Sequence, residues 1–298
     1  MMRRLATAWV LASLGLPSWA QEATVIRVVP LASAPIVDGA VDDWGGAAWI
    51  KVPIKPAVDR NDRAKLGLAP EDNNNTGAIV VQLRAGAHNG RLYLAARWPD
   101  DAANTEYKGW DWQADRYVES KRREDMFAAR FHLDGDFDRS MLAARTYRVD
   151  VWLWSAARTN PLGLAEDQLH SISNRLIEDA AEYATRDHGV IYIKKQRDAG
   201  TPLYQPVRAP KEKGEQHLSG IKLNPGANGS IADVKAKGMW KAGFWTVELS
   251  RQLDTGNSDD VKFRPGQKIT GQIAVFNRSS DEHKSVSEPL LFDLKQVR

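Results

Sequence analysis

The stretch Val149-Asp150-Val151-Trp152-Leu153-Trp154 decides how this chain is read. Strand side chains alternate with period two, so Val149, Val151 and Leu153 share one face and Asp150, Trp152 and Trp154 the other. Two Trp rings on one face make a wide, flat apolar surface, suited to a core or to a planar ligand. Met141 lies just upstream and is one of three methionines once Met1 and Met2 are set aside. Its thioether is either a gap-filler in that core or a soft ligand to a metal. Core packing is the ordinary fate of a single Met or Trp, so a sharper reading needs support from elsewhere in the chain.

Outward from this stretch the signals are those of strands. Residues 126–133 read as a strand that Asp134-Gly135-Asp136 ends. Residues 79–87 and 91–98 flank His88-Asn89-Gly90, and Asn-Gly between two alternating runs is the strongest short-range hairpin signal. A first strand is expected over 24–29, followed by an Asp-Gly turn in Val37-Asp38-Gly39-Ala40-Val41-Asp42-Asp43-Trp44. Residues 55–77 are polar and turn-rich and read as a long loop; a Trp-rich loop follows at Tyr107 to Trp112. Strands recur over 231–237, 244–249, 269–276 and 290–294, spaced by Gly, Asn, Asp and Pro. Strands at such spacing, without alternating helices, predict an antiparallel β-sandwich. Between them, residues 174–230 are the least regular: a short strand over 190–194, a helix over 174–185, and loop around Pro202, Pro206, Pro210 and Pro225. The expected organisation is one domain over 21–298 with a long loop-rich insertion at roughly 160–228.

Composition narrows the function. Arg3 and Arg4, the apolar run from Leu5 to Leu16 and the small-x-small site Ser18-Trp19-Ala20 before Gln21 read as an export signal over residues 1–20. No later stretch holds the ~20 apolar residues that span a bilayer, so the expectation is a soluble protein exported to a periplasm. Removal of Arg3 and Arg4 leaves 39 basic against 38 acidic residues, a balance of +1 and no case for nucleic acid. The chain has no cysteine, which excludes iron–sulfur clusters, Cys-type zinc sites, a Cys nucleophile and covalently attached c-type haem. Any haem here is held non-covalently.

Acid pairs abound: Asp42 with Asp43, Asp100 with Asp101, Glu124 with Asp125, Asp134 with Asp136. They flank turns and strand ends, where Asp is favoured for local hydrogen bonding, and proximity in sequence does not place two carboxylates across a sugar. Asp134-Gly135-Asp136-Phe137-Asp138 is rich in oxygen ligands but lacks the rest of a calcium loop. No H-x-x-x-H zinc spacing, G-x-S-x-G, P-loop or dinucleotide fingerprint occurs. A last constellation is Asp281-Glu282-His283-Lys284-Ser285-Val286-Ser287. A lysine in such a turn is ordinarily solvated. Paired with Met141 it gains meaning, because a neutral amine and a thioether can fill both axial positions of a haem iron, and burial beside a metal favours the neutral amine.

Several stretches together resemble a known family, the haem-binding subunit of ethylbenzene dehydrogenase and related type II enzymes of the dimethyl sulfoxide reductase group. They are Asp38-Gly39 with Asp43-Trp44, Gly90-Arg91-Leu92-Tyr93 with Arg97-Trp98-Pro99-Asp100, Asp150 to Ala156, Gly243 to Leu253, Asp260 to Gly266, and Ala274-Val275-Phe276 with Lys284 to Ser287. The resemblance implies a β-sandwich, a non-covalent b-type haem ligated by Met141 and Lys284 and flanked by Trp152 and Trp154, and no substrate chemistry in this chain. It implies electron transfer with a partner molybdenum oxidoreductase and its iron–sulfur subunits, or with a periplasmic cytochrome. His283 and His170 are alternative ligands, His being the commoner choice for haem. The opening and closing patterns are also similar to family 9 carbohydrate-binding modules. Under that alternative Trp110, Trp112, Trp152 or Trp154 would stack on sugar rings, and nothing would bring Met141 and Lys284 together.

Overall fold

The alternation read at the Trp strand builds two layers. The computed structural model describes residues 23–69, 72–279 and 283–297, so the expected export signal lies outside the described residues. Fourteen strands join into one hydrogen-bonded sheet that doubles over on itself. They are β1 (Thr24–Pro30), β2 (Ile50–Pro56), β3 (Ile79–His88), β4 (Arg91–Pro99), β5 (Met126–Gly135), β6 (Tyr147–Ser155) and β7 (Glu166–Ser173). Then come β8 (Ala181–Thr185), β9 (Gly189–Arg197), β10 (Lys235–Lys241), β11 (Phe244–Gln252), β12 (Lys268–Phe276), β13 (Ser285–Ser287) and β14 (Leu290–Asp293).

One layer runs β8-β9-β7-β6-β5-β12, the other β3-β4-β11-β10. Two bridges join them, β13 with β2 and β14 with β1. All pairings are antiparallel except those of β1 with β14 and β3. The fold is the expected mainly antiparallel β-sandwich.

The sandwich interior is aromatic. Phe127, Phe131, Trp152 and Trp154 from β5 and β6 face Trp98 of β4 and Trp245 of β11. Trp98 stacks on Phe127 with ring centroids 5.6 Å apart, and Trp154 meets Trp245 edge-on at 5.0 Å. Gly238 of β10 lies against the Trp154 ring: a Cβ there would sit 2.3 Å from Trp154 Cζ2. Gly238→Ala is therefore expected to destabilise the fold by about 1–3 kcal/mol or more through overpacking, read as a lower urea midpoint with unchanged slope.

The β3–β4 hairpin turns at Asn89 and Gly90, both with positive φ (44° and 73°), as a type I′ turn requires. The Asp38-Gly39 turn and Trp44 are held by one buried side chain, Glu248 of β11. Its carboxylate accepts hydrogen bonds from the Asp38 and Gly39 backbone N–H groups (3.1 and 2.8 Å) and from the Trp44 indole (2.5 Å). Burial still pushes the Glu248 carboxyl up to about 7 from an ordinary 4.5. The folded state therefore keeps a proton that the unfolded chain releases. The contribution of Glu248 to stability falls as pH rises from about 4.5 to about 7, and is level outside that window. Melting temperature against pH should show this fall, and Glu248→Gln should flatten it.

Within 160–228 the structure corrects one expectation. No helix forms over 174–185; β8 and β9 make a hairpin there, and β9 pairs with β7, extending the first layer. Non-local pairing overrides the weak local helical tendency. The loop-rich character expected of this segment holds after β9, where only short paired pieces such as Tyr204–Pro206 and Ile221–Leu223 occur. In the expected long loop, a short helix spans Arg60–Lys65.

Candidate functional site

The outer face of the first layer carries the candidate site. Val149, Val151 and Leu153 of β6 point outward and cluster with Met126, Ala128, Ala274, Phe276 and Val286 from neighbouring strands. Two segments roof this face, one over residues 57–69 with Asp72 and one around 137–142. Arg139 ties them together by donating to the Pro56 and Ala57 carbonyls (both 2.9 Å) and pairing with Glu288 at 3.2 Å. Floor and roof enclose a cavity of about 470 Å³, within the size range of small-molecule and cofactor sites.

The floor changes character along the strand order. Ala128, Val151, Leu153, Ala274, Phe276 and Val286 make its apolar part, whereas the edgeward strands β7 and β9 present Glu166, Gln168, His170, Lys195 and Arg197. These polar groups are organised. Arg197 Nε lies 2.8 Å from Glu166 Oε1, Gln168 donates to Glu166 Oε2 at 2.5 Å, and His170 Nε2 bonds Gln168 Oε1 at 2.7 Å. Arg158, buried beside Glu124, donates to the Tyr204 hydroxyl at 3.0 Å. Burial pushes the Tyr204 hydroxyl above its ordinary value. The cavity thus has an apolar body and a cationic, hydrogen-bonding rim, the lining an amphipathic ligand requires.

Met141 and Lys284 both border this cavity, brought together from distant parts of the chain. Met141 is half-buried against the apolar floor. Lys284 Nζ lies 5.5 Å from the Phe276 ring centroid, and its backbone carbonyl accepts from Ala57 N at 3.0 Å. His170 and His283 line the same cavity; His283 Nδ1 lies 3.2 Å from Asp72 Oδ1. Trp152 and Trp154 do not line it. This corrects the expectation that they flank a ligand: they occupy the opposite face of β6, fully buried in the sandwich interior. Trp110 and Trp112 belong to a separate three-stranded sheet; Trp110 donates to Val207 O at 2.9 Å, and Trp112 packs edge-on against Tyr117.

Three of the paired acids hold the framework. Glu124 caps the Ala157–Arg158 backbone, and Asp125 accepts from Asn104 N, Arg278 N and the Trp245 indole. Asp134 pairs with Arg148 on the surface. The cationic rim was not singled out from the sequence. Its trace there is Glu166-x-Gln168-x-His170, polar residues at period two in a strand whose residues are nearly all buried.

Comparison with known proteins places the chain. The family model described as "Ethylbenzene dehydrogenase" matches residues 41–287. The chain belongs to that family. No curated protein matches its sequence. Among solved structures, it is similar to a family 9 carbohydrate-binding module from Caldicellulosiruptor kristjanssonii in complex with glucose. The identity is 11%, over 89% of this chain and 85% of that one, with a TM-score of 0.34. It is also similar to a putative carbohydrate-binding protein from Bacteroides uniformis, at 7% identity over 90% of each chain and a TM-score of 0.40. Likeness this loose carries no inference about a ligand. Among the described residues no helix is long and apolar enough to cross a membrane.

Proposed function

We propose that this family member is an exported, haem-binding electron-transfer subunit, with Met141 and Lys284 as the residues that would hold the iron. The observation that carries this reading is that Met141 and Lys284 both line one amphipathic cavity. The residues present fit a b-type haem. The apolar floor suits the macrocycle face, the donors are a soft sulfur and a nitrogen, and the rim of Lys195, Arg197, Arg63 and Arg139 suits propionate carboxylates.

Bound there, the haem would accept and release single electrons. The chain's own contribution is positional. Val151, Leu153 and Phe276 keep water from the ligand face, which tunes a potential. The backbone bond from Ala57 to the Lys284 carbonyl fixes the turn that presents the amine, and Arg139 holds the roof segment carrying Met141. Family membership supports association with an enzyme complex. Its molybdenum subunit, through iron–sulfur subunits, or a periplasmic cytochrome is the proposed electron partner.

The test is an absorption spectrum of the chain after haemin reconstitution and gel filtration, oxidised and dithionite-reduced. A low-spin b-type spectrum at one haem per chain is expected. Failure to retain stoichiometric haem overturns the reading.

A further inference from the structure

On the core side of the first layer, away from the cavity, lies an excess of buried negative charge. Asp150 and Asp167 from β6 and β7 and Asp260 from the loop before β12 surround Arg251 of β11. The two terminal guanidinium nitrogens are consumed there: Nη1 serves Asp167 and Asp260, and Nη2 serves Asp150 and the Val261 carbonyl. Asp198, after β9, and Asp259 lie beside this group without any bond to the arginine. Carboxylate oxygens of Asp198, Asp259 and Asp260 lie within 4.8 Å of one another. Asp198 is only 5% exposed, and among the described residues no donor reaches its buried Oδ1. A buried carboxylate oxygen without a donor costs about 1–3 kcal/mol or more, and native proteins seldom leave one so.

We propose that Asp198, Asp259 and Asp260 form a binding site for a hard divalent cation of the calcium class. The ligand atoms are all carboxylate oxygens, which selects against zinc and copper and for calcium, magnesium or manganese. Oxygens bound at 2.3–2.6 Å to one calcium ion can be up to about 5 Å apart, whereas the ~2.1 Å shell of magnesium draws them closer. Oxygens within 4.8 Å of one another fall inside the calcium limit, and a site built of protein carboxylates suits calcium better than magnesium, which demands near-ideal octahedral geometry and keeps several waters. Protonation is the competing way to settle the charge: burial and the neighbouring Asp259 and Asp260 push the Asp198 carboxyl up to about 8. The ion would tie the turn after β9 in the first layer to the loop that follows β11 in the second. This site is independent of the haem reading.

The test uses the full exported chain after chelator treatment, with calcium titrated by calorimetry and terbium by tryptophan-sensitised emission. Trp152 lies 4.9 Å from the Arg251 guanidinium, close enough to the cluster to report. One calcium per chain is expected, with a calcium-dependent rise in melting temperature greater than that given by magnesium. Asp259→Asn, a half-buried residue outside the arginine network, should remain folded, lose at least about tenfold in calcium affinity and lose the thermal response. Asp198→Asn should do the same. Absence of a calcium response in the wild-type chain, or an equal response in both variants, overturns the site. So does a gain in stability of Asp198→Asn in chelator without any calcium effect on the wild-type chain, which would assign the charge to a proton.

Discussion

Lys284→Ala, reconstituted with haemin and reduced, is expected to lose the low-spin b-type spectrum of the wild-type chain and at least about tenfold in haem affinity. The geometry makes this a specific effect. The turn is held through its backbone and through Ser285, by the Lys284 carbonyl accepting from Ala57 N and by Asn74 Nδ2 donating to Ser285 Oγ at 2.9 Å. None of these bonds uses the lysine side chain, so the backbone hold on the turn survives its removal. Met141→Ala should likewise give a high-spin or weakly retained haem, because the half-buried thioether is the soft donor on the roof side. His170→Ala and His283→Ala are the controls. His170 is engaged along the floor with Gln168, and His283 faces Asp72, so both variants should keep the low-spin spectrum. An unchanged spectrum in the Met141 and Lys284 variants, with loss in a histidine variant, would sink the Met–Lys assignment and leave haem binding standing.

The sequence was legible where one period decides the matter. Alternation through Val149 to Trp154 separated the two faces of β6 correctly, and Asn89-Gly90 placed the hairpin to within a residue. The pattern could not say which face looks into the sandwich. Both faces of β6 are apolar and buried, so the Trp rings could be assigned to ligand or core with equal consistency; only the opposing Trp98 and Trp245 settle it. The short strand read over 190–194 is β9, but β8 was hidden, since it is an edge strand paired on one side only and its residues are mostly exposed. The stretches that carry the family resemblance converge on internal clamps. Asp38, Gly39 and Trp44 meet at Glu248, and Asp150 and Asp260 meet at Arg251. Those motifs therefore report the framework. The outward faces of the same stretches also supply the apolar floor of the cavity, through Val151, Leu153, Ala274, Phe276 and Val286, whereas its polar rim comes from edge strands and loops whose meeting no local pattern announces.

Arg251→Met should produce the largest loss of stability of any single change in the chain. The side chain is 0% exposed and spans the sandwich, reaching from β11 to Asp150 (2.7 Å) and Asp167 (2.7 Å) on the opposite layer and to Asp260 (3.0 Å) on the loop before β12. Burying such an arrangement contributes little net stability against a well-packed apolar substitute, but removing one partner strands the others. Here one cation is shared by three carboxylates, so its loss leaves three buried acids facing each other. About 3–5 kcal/mol is the usual consequence of breaking one buried pair. For a domain of this size that corresponds to a fall in melting temperature on the order of 5–10 °C. Arg251→Lys should fall nearly as far, since a single ammonium cannot address carboxylates on three sides as the planar guanidinium does. The double variant Arg251→Met with Asp150→Leu should recover part of the loss, giving a favourable coupling in a mutant cycle. A single Arg251→Met variant within about 1 kcal/mol of the wild-type chain by urea unfolding at neutral pH would show that the acids already carry their own protons. The arginine would then be an incidental neighbour of the layers it joins.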